Sequence, residues 1–139
     1  MPILLHNLNN LTINIYGKIS ASKNVKYWPK DATTKKYLNF IDLKNCTNIE
    51  INGGGRIDGR GYHWWMLNLL NDKKYLNNDD RPMLFHMDYS HFIQIHDLTF
   101  KNSPNWNIKF DHCYDVTIYN VNIKTNTTAQ INLLKKLNL

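Results

Sequence analysis

Seven apolar positions between Met83 and Ile123 are written twice, 23 residues apart. Met83, Phe85 and Met87 recur as Trp106, Ile108 and Phe110; Ile93 and Ile95 recur as Val116 and Ile118; Leu98 and Phe100 recur as Val121 and Ile123. Within each copy apolar and polar residues alternate, which is the two-residue period of a strand. A unit of short strands repeated at roughly 20 to 25 residues cannot bury its apolar side alone, so it must stack on its own copies as a solenoid. Equivalent side chains then lie over one another at the roughly 4.8 Å spacing of paired strands.

The same template runs backwards through the chain once insertions are allowed. An offset of 44 places Ile41, Leu43, Ile49 and Ile51 under Phe85, Met87, Ile93 and Ile95, which is one 23-residue turn lengthened by 21. A further offset of 38 places Leu11, Ile13, Gly17, Lys18 and Ile19 under Ile49, Ile51, Gly55, Arg56 and Ile57, a turn lengthened by 15. Cys46, Ser90 and Cys113 share one slot, where a small side chain suits a tight corner. The expected fold is all-β: a β-solenoid of about four turns. It forms one partial domain over residues 1–139, bare at both ends of the stack.

Two insertions leave the repeat after the glycine-basic-isoleucine corners, over about 21–36 and 62–82. They should therefore sit side by side on one edge, bringing Trp28 towards Trp64 and Trp65. Such a wall can stack on the apolar faces of sugar rings, or simply fix the loops to the stack. Trp64 to Leu70 reads as a short helix, and Trp106, in the slot of Met83, is expected in the core. Ile131 and Leu133 fall in the inward slots of Ile108 and Phe110, so 129–139 is expected to be a last strand or a cap.

The net charge of +6 points to an anionic partner, of which an acidic polysaccharide is one class. No basic run exceeds two residues and the aromatics are not interleaved with arginine, so nucleic acid is not expected. No apolar run is long enough to span a bilayer and Met1 is not followed by the pattern of a signal peptide, so no membrane association and no export signal are expected. Cys46 and Cys113 lie about two rungs apart, too far for a disulfide. Asn makes up about one residue in seven, which suits corners with left-handed backbone. A monomer is expected.

Four stretches in register carry a resemblance to a known family. They are Gly54-Gly55-Arg56-Ile57-Asp58-Gly59-Arg60-Gly61 with Trp64-Trp65, then Arg81-Pro82, then Leu98-Thr99-Phe100-Lys101-Asn102-Ser103-Pro104-Asn105-Trp106, then Cys113 to Val121. Their order and spacing resemble the N-terminal half of the polygalacturonases, glycoside hydrolase family 28. The resemblance implies a right-handed parallel β-helix and a secreted enzyme that hydrolyses galacturonan with inversion, using carboxylates as acid and base. The family places these in an Asn-Thr-Asp stretch and a later Asp-Asp pair, beyond the matched portion.

No Asp or Glu follows Asp115, and Asn126-Thr127-Thr128 has a hydroxyl where the family has its carboxylate. No catalytic residue is therefore assigned. Asp79-Asp80 precedes Arg81-Pro82 and reads as a solvated loop. Asp88 and Asp111 share an outward slot a rung apart, closer than the roughly 6.5 to 9.5 Å an inverting pair requires. His86, His91, His96 and His112 scatter over different sides of a turn, so neither metal nor cofactor is expected. Two functions follow: a fragment of a polygalacturonase-type hydrolase, inactive alone, or a non-catalytic β-solenoid module that binds acidic polysaccharide. Trp28, Trp64 and Trp65 are the substrate-binding candidates.

Overall fold

The structure, a computed structural model, describes residues 1–76, 80–126, 128, 132, 135 and 136. Its named strands all pair in parallel. One sheet stacks β1 (Ile3–His6), β4 (Ile41–Lys44), β7 (Phe85–Asp88) and β9 (Ile108–Asp111) in that order. The other stacks β2 (Asn9–Asn14), β5 (Thr47–Asn52), β8 (His91–Lys101) and β10 (Tyr114–Lys124). The short strands β3 (Lys18–Ser20) and β6 (Arg56–Asp58) continue this second sheet beside the end of β8.

Columns follow the offsets that periodicity predicts. Ile3, Ile41, Phe85 and Ile108 are successive partners, as are Leu11, Ile49, Ile93 and Val116. One step departs from the pattern: Ile57 pairs with Phe100, 43 residues on, whereas Ile51 pairs with Ile95, 44 residues on. The lower turn has one residue more at its glycine corner, and the upper turn passes the same corner without leaving the strand.

Leu43, Ile57, Phe85, Met87, Ile93, Ile95 and Phe100 are fully enclosed between the two sheets. Phe85 and Phe100 meet edge to face at 5.8 Å and tie the sheets together. Removing each such side chain from water contributes about 1.5 to 3 kcal/mol before the entropy of ordering the chain is counted.

The corners are equally regular. Asn7, Asn45, Tyr89 and His112 all have left-handed backbone, and so do Asn10, Asn48, Phe92 and Asp115. These are two columns at the same offsets, so every rung turns by one conformation. Asn is the ordinary residue least penalised there. Asn45 donates to Asn7 at 2.7 Å and Asn48 to Asn10 at 2.5 Å, extending the ladder into the side chains. Between these columns lies the small slot: Ser90 Oγ donates to Asp88 O, and the Cys46 and Cys113 thiols donate to Lys44 O and Asp111 O. Both cysteines are free.

On the third edge the helix α1 (Tyr62–Leu69) carries Trp64 inward. Trp64 meets Trp28 edge-on at 5.8 Å and Tyr37 at 4.8 Å, while Trp28 Nε1 donates to Leu38 O. Gly59 and Gly61 permit this edge to close: a Cβ on either would lie 2.7 or 2.6 Å from the Asn102 or Ser103 carbonyl oxygen.

Trp106 departs from its expected core position and is 61% exposed. Leu84 and Phe85 are both buried, so the inward-outward alternation is broken before β7 begins and the slot of Met83 and Trp106 lies outside it. Ile131, Leu133, Thr127 and Asp79, invoked for the tail, the pseudo-motif and the acidic pair, lie outside the described residues. Thr128, Asn132, Lys135 and Lys136 are helical and exposed.

Candidate functional site

Outward positions of the first sheet form two adjacent columns of opposite charges. One is Leu4, Asp42, His86 and Lys109; the other is His6, Lys44, Asp88 and Asp111. Because strand residues alternate sides, the packing that buries Leu43 and Met87 obliges these neighbours to face out.

His86 sits at the centre. Its Nδ1 lies 3.2 Å from Asp42 Oδ2 and its Nε2 lies 2.9 Å from Asp111 Oδ2. A carboxylate only accepts, so the two contacts are both hydrogen bonds only when the ring is protonated on both nitrogens. The Asp42 bond, aided by Asp111, raises the His86 pKa above its ordinary value against the opposing effect of burial. For Asp42, burial acts upward, yet the bonds from His86 and Asn39 prevail and hold it below the usual carboxylate range. Asp111 is held down by Lys109 at 2.7 Å and by His86. Asp88 accepts from His112 Nδ1 at 2.9 Å.

Asp88 and Asp111 stand on adjacent partner positions, and Asp111 is bonded to Lys109 and His86. A general acid needs a raised pKa. Asp42 and Asp111 have the reverse, so they order the surface and keep their charge.

Beside the second column, at the left-handed corner, a cleft of about 520 Å³ is lined by His6, Asn7, Lys44, Asn45 and Tyr89. Lys44 supplies a cation, the two asparagines supply hydrogen bonds, and Tyr89 supplies an exposed ring. Tyr89 is backed by His112 in a parallel stack at 4.3 Å. His91 with Tyr114 and His96 with Tyr119 stack likewise at 4.6 and 4.5 Å along the second sheet. Each of these three pairs is spaced by 23, and that spacing between aromatic residues at outward positions is the signal in the sequence; apolar alternation does not reveal it.

The three tryptophans occupy another place. Trp28 and Trp64 are 5% and 1% exposed, so neither offers a ring face to a sugar. Trp65 is half-buried, its Nε1 donating to Ser103 O at 2.9 Å. The structure thus brings Trp28 and Trp64 into contact, while the Trp65 indole turns to Ser103. Among the described residues no group of three or more His, Cys, Asp or Glu could hold a metal ion, and no helix is long and apolar enough to cross a membrane.

Two sheets of parallel strands wound into one column define a parallel β-helix, with a cation-rich, aromatic outer surface. Residues 5–133 match the family described as glycosyl hydrolases family 28, and the chain belongs to that family. Over 117 residues it is 31% identical to a polygalacturonase of Chamaecyparis obtusa, covering 83% of this chain and 22% of the relative. Over 120 residues it is 32% identical to exopolygalacturonase A of Aspergillus niger, covering 82% of this chain and 26% of the relative. The exopolygalacturonase of Thermotoga maritima superposes with a TM-score of 0.64 at 16% identity, over 90% of this chain and 38% of that one. The chain thus spans about a quarter of the length of these curated relatives.

Proposed function

We propose that the chain is part of a polygalacturonase-type glycoside hydrolase acting on the 1,4-α-galacturonosyl bonds of pectin outside the cell. In this reading residues 1–139 are about four turns of a right-handed β-helix with two loop insertions, and they hold the acidic polysaccharide without cleaving it. The supporting observation is the family match over residues 5–133, joined to relatives whose names are those of polygalacturonases. The first sheet offers a surface suited to holding, because Lys44 and Tyr89 line an open cleft beside the ordered Asp42 and Asp111. A uronate ring offers a carboxylate to the lysine and an apolar face to the tyrosine.

Retention on immobilised polygalacturonate and release of reducing sugar test this together. The 139-residue chain should be retained, with affinity falling as salt is raised, and should release no reducing ends. Lys44→Glu should weaken retention several-fold. Turnover by this chain would overturn the division between holding and cleaving, and salt-independent retention would overturn the role given to charge.

A further inference from the structure

The glycine corner of the second sheet is built differently in the lower and upper turns. β2 and β5 end before it, and the chain crosses through Tyr16-Gly17 and Gly53-Gly54-Gly55 before β3 and β6 begin. β8 and β10 run through the same corner as single strands, bent only at left-handed Asp97 and Asn120. A hollow of about 390 Å³ lies where the two constructions meet.

Its lining is basic. Register sets Lys18 beside Arg56 and Lys101 between Asp58 and Lys124, with Thr99 next to Arg56. Lys18 is bound to Asp58 at 2.9 Å. Arg56, Lys101 and Lys124 form no ion pair with a carboxylate among the described residues, so three cations share one small volume. Such a set repels itself and concentrates anions from solution.

The remaining lining suits a sugar. Tyr16 is 79% exposed on the rim. Gly17 has neither a left-handed backbone nor any atom within 4 Å of where a Cβ would sit, so the fold has no need of glycine there. Its missing side chain leaves the hollow open between Tyr16 and Lys18.

We propose that this hollow is a second binding station for acidic polysaccharide, on a different sheet from the Lys44 cleft. Arg56, Lys101 and Lys124 take carboxylates of the chain and Tyr16 covers the apolar face of one ring. The kind of sugar acid rests on the reading under Proposed function; the presence of an anion site does not. Arg56 can take a carboxylate by two parallel bonds, and the lysines act as point charges.

Titrating the isotope-labelled 139-residue protein with trigalacturonate, and separately with neutral galactotriose, reads both places in one amide spectrum. Gly17, Gly54, Gly55 and Thr99 report the hollow; Asn7, Asn45 and Tyr89 report the cleft. The expected result is that trigalacturonate shifts both sets and galactotriose shifts neither. The double variant Arg56→Glu/Lys124→Glu, at two exposed positions, should weaken binding at the hollow about tenfold and leave the cleft signals moving as before. Arg56→Gln/Lys124→Gln should give a smaller loss of the same kind. Shifts confined to the cleft overturn the hollow and leave the earlier reading standing; shifts confined to the hollow do the reverse. Equal response to galactotriose, undiminished binding by the double variant, or no response at the hollow to either sugar overturns the proposal.

Discussion

Along β8 the inward residues Ile93, Ile95, Leu98 and Phe100 are buried, while Gln94, His96 and Thr99 between them face out. The inward columns repeat one chemistry from rung to rung. The outward columns are freer to change it, as from Asp42 to His86 to Lys109, although Asp88 and Asp111 repeat. The interior is held by area removed from water, which needs only apolar residues of the right size at each level. The exterior is held by pairing unlike charges and stacking rings across one strand spacing, so each residue is chosen against its particular neighbours.

Deletions should separate cleanly by side. Phe85→Ala removes the ring that joins the two sheets and should cost about 3 to 5 kcal/mol in urea unfolding, whereas outward Gln94→Ala should change stability by less than about 0.5 kcal/mol. Comparable losses from the two would erase the distinction.

Ser90→Ala probes the boundary between the sides. Ser90 Oγ is completely buried, donates to Asp88 O and accepts from the Cys46 N–H at 2.9 Å. Its loss leaves both without that partner and should cost about 1 to 3 kcal/mol, and Ser90→Cys, matching Cys46 and Cys113, should recover part of it. A neutral Ser90→Ala would show that the corner is held by its backbone alone.

The smallest effect belongs to the exterior ladder and is visible mainly through pH. The folded pKa of His86 is raised above 6.5, so its contribution is complete below that value and is lost as pH rises through the raised one. Asp42 and Asp111 are lowered below 3.8, so theirs is complete above that value and is lost as pH falls through the lowered ones. Melting temperature should therefore peak between about pH 4 and 6.5, and His86→Gln should flatten the alkaline side by the equivalent of about 1 kcal/mol. An unchanged alkaline slope in the variant would remove His86 from the account.

What could be read from sequence follows the same division. Apolar identity repeats, so the columns through Phe85 and Ile93 were visible as periodicity, as was the small slot of Cys46, Ser90 and Cys113. Asparagine content foretold left-handed corners but could not say that Tyr89, Phe92 and His112 adopt the same conformation, because there stacking position overrides residue preference. Trp106 was misplaced since the alternation was extended two residues beyond β7, across adjacent buried positions. The cleft at Lys44 and the stacked rings were hidden for another reason. Apart from Asn7 and Asn45 their members differ in chemistry, and the register of 38, 44 and 23 brings them together.

Between the two sheets every turn is closed by the same pair of left-handed positions, and the glycine corner varies by a single residue, so neither has much slack for length. The third, between β3 and β4 and between β6 and β7, absorbs both long excursions of the chain, while β8 to β9 crosses it in six residues. Such a column can be tailored by grafting or trimming at one seam without re-indexing a single rung. New loops, and whatever chemistry they bring, will always arrive along the same side of the molecule.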